Sequence, residues 1–82
     1  MSKFTQGEWK VVKLFEIEEE HGIPIATVDK RLNREAKANA RLIAAAPEMY
    51  ELLESLVDIL LVHFYSQDKA IRIVNLLARI DG

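Results

Sequence analysis

Ala38-Asn39-Ala40-Arg41-Leu42-Ile43-Ala44-Ala45-Ala46-Pro47-Glu48 is the stretch on which the fold turns. Alanine has the best helix propensity and the smallest side chain, so this run predicts a helix that can approach a neighbour closely. It should end at Ala45 or Ala46, because the residue before a proline is pushed out of the α region. Pro47 then suits the first position of a new helix, with Glu48 beside the positive end of its dipole. Two helices therefore meet at one proline. Working back, the first begins near Leu32 or Asn33, with Asn33 a candidate N-cap. Leu32, Ala36, Ala40 and Ile43 share one face at 100° per residue, and Asn39 lies beside them.

Upstream, residues 8–29 read as β structure. Trp9, Val11, Val12, Phe15 and Ile17 are aromatic or β-branched, and lysines and glutamates interleave them. The segment is too long for one strand, so a break is expected near Lys13-Leu14-Phe15, although no Gly, Pro or Asn marks it. His21-Gly22 marks the next turn, since glycine takes positive φ cheaply. Ile23 to Asp29 forms another strand, and Pro24, lacking an N–H, belongs at an edge or a strand start.

Downstream, the second helix runs over 47–65. Met49, Leu52, Leu53, Leu56 and Leu60 line its apolar face, and Glu48, Glu51, Glu54 and Asp58 lie opposite. After Asp58 the helix is apolar nearly all round. Ser66 is a candidate N-cap for a third helix over 67–80, whose broad apolar face carries Ile71, Ile73, Val74, Leu76, Leu77 and Ile80. The fold class predicted is α+β: a small antiparallel meander of two or three strands, then three helices, the last two an antiparallel pair. No linker divides the chain, so 1–82 is expected to form one domain.

The alanine-rich run resembles a signature of small proteins encoded by phages and prophages. In those, a Gly-x-Trp is followed by strand-like segments and an Ala-Asn-Ala-Arg-Leu-Ile-Ala-Ala-Ala-Pro-Glu run. Gly7 and Trp9 match the first element, and Gly22-Ile23-Pro24-Ile25-Ala26-Thr27-Val28 resembles the strand before the helix. The resemblance covers roughly the first fifty-five residues. It implies a phage-type accessory protein and carries no activity, cofactor or catalytic residue with it.

Composition narrows the classes further. At 82 residues the chain buries only about 60–65% of the surface its unfolded form exposes, so a small core must suffice. There is no cysteine, which removes disulfides and thiolate metal sites and fits a reducing cytoplasm. Two histidines, His21 and His63, do not make a closed zinc site. Half the residues are hydrophobic, which favours self-association as the remaining staple. The net charge of −2 gives no general attraction to nucleic acid. Ile59 to Val62 is the longest aliphatic run, far short of the roughly 18–20 residues that span a bilayer. No apolar run follows the N-terminal charge, so neither signal peptide nor membrane segment is expected, and the compartment expected is the cytoplasm.

Four candidate features follow from the pattern. Lys30, Arg34, Lys37 and Arg41 recur at helical spacing within about 60° of one face and could dock an acidic partner or track phosphates. The plainer alternative is a solvated face, and no aromatic residue accompanies them for base stacking. Glu18, Glu19 and Glu20 read as a solvated strand end that discourages edge-to-edge pairing rather than as catalytic carboxylates. His63, alone in an apolar segment, reads as a packed residue. Trp9 reads as the core anchor of the sheet, and Asn39 as an amide that caps a strand end or satisfies a backbone group where helix meets sheet, with a partner or ligand contact as the rival reading.

The expected function is thus non-enzymatic, with no cofactor and no metal. A phage or host protein is the expected partner, with the basic stripe as the candidate surface and the surplus apolar surface of the last two helices as the alternative. Nucleic acid on that same stripe is the second reading, and a purely structural oligomeric subunit the third. Self-association as a homodimer is expected through Leu61, Val62, Phe64, Ile71, Leu76 and Ile80, because more of the last two helices is apolar than one chain can cover.

Overall fold

The structure is a computed structural model that describes residues 3–29, 31, 34–63 and 67–82, with the side chains of all but 61–63. The elements in chain order are β1 (Trp9–Val12), β2 (Glu16–Glu19), β3 (Pro24–Thr27), α1 (Arg34–Ala44), α2 (Ala46–His63) and α3 (Gln67–Asp81). This is the α+β order expected, a three-stranded antiparallel sheet followed by three helices. The described residues group into two compact units, Thr5–Pro47 in one, and Glu48–Gly82 with the first residues of the chain in the other.

The first unit is the sheet with α1 on one face. Strand order is β1-β2-β3, with Trp9 opposite Glu19, Val11 opposite Ile17, and Ile17 opposite Ala26. Residues directly opposite point to the same side, so Trp9, Val11, Ile17, Glu19 and Ala26 share one face. Ile17 is wholly buried there, beneath Ala36 and Ala40 of α1, which are wholly buried too. Val28 completes the buried cluster, and Trp9, Phe15, Ile25 and Ile43 pack against its rim. The two alanines work because they have no side chain beyond Cβ, which lets the α1 backbone lie close to the sheet. Lys10, Glu16 and Glu18 occupy the other face.

Two turns set the register. Between β1 and β2, Lys13 and Leu14 both take positive φ, 51° and 68°, and the Phe15 N–H donates to the Lys13 carbonyl at 2.8 Å. The break expected at Lys13-Leu14-Phe15 is therefore present, but two bulky L-residues make it in a region that costs them energy. Between β2 and β3, the Gly22 N–H donates to the Glu19 carbonyl at 2.8 Å and the Glu19 N–H to the Ile23 carbonyl at 2.9 Å. Gly22, at φ 89°, supplies the left-handed residue that a three-residue hairpin loop needs. Pro24 begins β3, an edge strand, as its missing N–H requires. Ile25 is the extra residue of a bulge, since Glu18 faces Pro24 while Ile17 faces Ala26.

α1 ends at Ala44, and the Ala45 N–H still reaches the Arg41 carbonyl at 3.0 Å. α2 restarts at Ala46, one residue before Pro47. Leu32, Asn33 and Ser66, on which the expected caps fall, lie outside the described residues.

The second unit is the α2–α3 hairpin. The Tyr50 hydroxyl at the start of α2 donates to the Asp81 carboxylate at the end of α3, so the two helices run antiparallel. Tyr50 is buried, and the Phe4 ring meets it edge-on with centroids 4.9 Å apart. The Lys3 N–H donates to the second Asp81 oxygen at 3.1 Å. Leu60 and Ala70 are the other buried residues among those described in this unit. Met49, Leu52 and Leu56, expected on the covered face, are exposed. Leu60 is buried and Leu53 half-buried, as expected, and the covered side of α2 takes in Tyr50 and Val57 as well.

Candidate functional site

The basic stripe lies on the outward face of α1. Arg34, Lys37 and Arg41 are all exposed, opposite Ala36 and Ala40. None of the three forms an ion pair with a described residue. Lys30 lies outside the described residues. Leu42, 60% exposed, borders the stripe, and Glu35 is the one acidic residue of α1. The face therefore offers three cations and an uncovered aliphatic side chain. Asn39 is exposed as well, so its amide serves no buried backbone group, which corrects the role expected for it.

The glutamate triplet behaves differently from the solvated strand end expected. Glu20 is exposed, but Glu19 keeps only 5% of its surface. It stands on the α1-facing side of the sheet, opposite Trp9. A buried carboxylate needs partners, and His21 supplies two. The His21 backbone N–H donates to one Glu19 oxygen, and the ring Nδ1–H to the other at 2.7 Å. The hydrogen bond from the ring holds the Glu19 carboxyl below its ordinary range. The same bond, helped by the charges of Glu19 and Glu20, raises the His21 imidazole above its ordinary range. Glu19, Glu20 and His21 bring ligand atoms within 4.8 Å of one another. Both Glu19 oxygens and the His21 Nδ1 are already engaged with each other, so the arrangement is a capped ion pair and the chemistry of a metal centre does not follow.

Gly7 sits against this pair. Its φ is 100°, and a Cβ there would lie 3.1 Å from Oε1 of Glu20 and 3.6 Å from Oε2 of Glu19. Two residues on, the Trp9 Nε1–H donates to the Thr5 carbonyl at 3.1 Å. Trp9 is half-buried at the rim of the core, so it anchors the sheet from the side rather than from the centre. Asp29 and Arg31 form a further exposed pair, at 2.6 Å between Nη2 and Oδ2.

In the other unit, Ile71, Leu76 and Ile80 are exposed, as the expected interface requires, but they do not share a face. Ile71 and Ile80 are nine residues apart, which sets them on opposite flanks of α3. The side chains of Leu61 and Val62, and all of Phe64, lie outside what is described, as does the His63 side chain. A shallow groove runs along one flank of the hairpin, lined by Glu54, Val57, Asp58, Val74 and Leu77. Among the described residues, no helix is long and apolar enough to cross a membrane.

Residues 1–78 match the family described as Salmonella phage P22 protein Y8K6. The chain belongs to that family. No curated protein and no solved structure matches it. The phage kinship that the resemblance implied thus holds, over nearly the whole chain.

Proposed function

We propose that this phage-family protein is a non-enzymatic accessory protein that works by binding another protein through the outward face of α1. The observation that carries the reading is the stripe of Arg34, Lys37 and Arg41, exposed and without described ion-pair partners, beside the uncovered Leu42. Cations around an aliphatic contact suit an acidic protein surface with a small apolar pocket: the charges steer the approach, and burial of the leucine adds affinity. Nucleic acid is the second reading, favoured by the same cations and weakened by the absence of an aromatic residue on the helix.

The test is recovery from a lysate of infected host cells, with wild type against the triple variant Arg34→Gln/Lys37→Gln/Arg41→Gln. A Lys10→Gln variant, altered on the far face of the sheet, is the control. Loss with the triple variant alone supports the reading, and equal recovery with all three proteins overturns it. A salt-dependent mobility shift on DNA or RNA, abolished by the triple variant, would assign the stripe to nucleic acid instead.

A further inference from the structure

We infer that the α2–α3 hairpin is half of a homodimeric four-helix bundle in which α2 of one copy lies over α3 of the other. The evidence begins with spacing. Met49, Leu52, Leu56 and Ile59 are all exposed and alternate by three and four residues, the seam spacing of helices that pack against helices. On an ideal helix they fall within about 80° of one another. The groove lined by Glu54, Asp58 and Val74 fixes one flank of the hairpin. The seam lies on the opposite flank of α2. Leu76 and Ile80, also exposed, lie on that same opposite flank of α3. One side of the hairpin thus carries two adjacent apolar ridges.

Size and charge select the occupant. The six side chains leave on the order of 500 Å² of apolar surface per copy, so a pair hides about 1,000 Å², the threshold for a specific interface. The outer edge of the α2 ridge carries Glu48, and the outer edge of the α3 ridge carries Arg79. A surface with an acid along one border and a base along the other complements itself. Only one two-fold arrangement uses this. An axis parallel to the helices sets α2 over the partner's α3 and brings acid to base, whereas a perpendicular in-plane axis stacks α2 on α2 and brings acid to acid.

The same axis preserves height along the bundle, and the Tyr50–Asp81 hydrogen bond gives the heights. Leu52 then enters between Leu76 and Ile80 of the second copy, and Glu48 comes within reach of its Arg79. Every neighbouring helix pair in the bundle is antiparallel, which favours the dipoles. This surface uses no residue of α1, so the two proposals are tested independently.

Light scattering after size exclusion, at high micromolar concentration, should give about twice the 9.4 kDa of one chain. Leu52 is 62% exposed within one chain, so Leu52→Asp should keep the wild-type helical circular dichroism and a cooperative melt, lowered only by the lost association, while weakening the dimer at least ~100-fold, because its carboxylate would enter an apolar interface. Glu48→Arg and Arg79→Glu should each weaken the dimer roughly tenfold, and the double variant should recover most of that loss. Both singles also disturb a helix terminus, but only a contact between copies predicts recovery in the double. A monomer at that concentration overturns the proposal, including a monomer that instead holds a host protein through Leu52. A dimer that ignores Leu52→Asp, or that the double variant fails to restore, overturns it too.

Discussion

Glu19 lies two residues beyond Ile17, and in a strand two residues apart means the same face. That parity puts a carboxylate on the side of the sheet that α1 covers, and it was legible in the sequence once Ile17 was assigned to the core. What the sequence did not disclose was the register with β1, which sets Glu19 opposite Trp9, nor the two hydrogen bonds from His21 that make burial tolerable. The pair also has a pH signature. Glu19 is depressed below 4.5, so its contribution is present above that value and is lost as the pH falls through the folded pKa. His21 is raised above 6.5, so its contribution is full below that value and is lost as the pH rises through the folded pKa. The two overlap from about pH 4.5 to 6.5. Urea midpoints across pH should therefore show a shoulder in that window that His21→Ala removes. An unchanged profile in His21→Ala would show that the pair contributes nothing. At the β1–β2 turn the positive φ of Lys13 and Leu14 was invisible because nothing but glycine or asparagine announces such a conformation. Replacing Leu14 with glycine should raise stability by about 1 kcal/mol, read from chemical denaturation, as a left-handed site relieved of its Cβ. Gly7→Ala should do the reverse by a similar amount or more, since the new methyl meets the Glu20 carboxylate as well as the strained φ.

Elements fared better than residues because they depend on pattern. The alanine run, the proline after it and the alternation around Val11 and Ile17 gave a meander of two or three strands, three helices and the α1–α2 break to within one or two residues, where the ends lie among the described residues. α1 illustrates why. Ala36 and Ala40 are wholly buried against Ile17, so neither position leaves room for a larger side chain. Ala36→Leu should therefore cost about 1–3 kcal/mol by overpacking, whereas Ala38→Leu on the exposed face should leave the melting temperature within a few degrees. Equal effects at the two positions would mean α1 does not lie on its Ala36 face. Trp9, at the rim rather than the centre, should cost about 2–4 kcal/mol on truncation to alanine, toward the lower part of the range for large aromatics. α2 was the element read least well: its leucines were assigned to one covered face, yet the buried member of the first turns is Tyr50. The apolar pattern ranks leucine over tyrosine, and only the carboxylate of Asp81, thirty-one residues away, makes burying a hydroxyl worthwhile.

At the scale of the whole molecule, that hydroxyl is also the point at which the hairpin closes. The bond to Asp81, burial and the charges of Asp81 and Glu54 push the Tyr50 hydroxyl up to about 12, from 10.0 in a free side chain. Its contribution is complete below the unfolded value and vanishes as the pH rises through the folded one. In a Tyr65→Phe background, absorbance titration should follow Tyr50 alone and find it ionising about two units late; a midpoint near the ordinary tyrosine value would mean the bond is not formed in solution. Sequence could not anticipate this closure, because it joins groups from three distant places: Lys3, Tyr50 and Asp81. The two units consequently differ in how a growing chain can complete them. The sheet unit is one uninterrupted run, Thr5–Pro47, so a nascent polypeptide can finish it while later residues are still being added. The hairpin unit borrows its first residues from the opposite end, so the bonds that Lys3 and Tyr50 make to Asp81 cannot form until Asp81 has emerged. Synthesis therefore favours one order, sheet before hairpin.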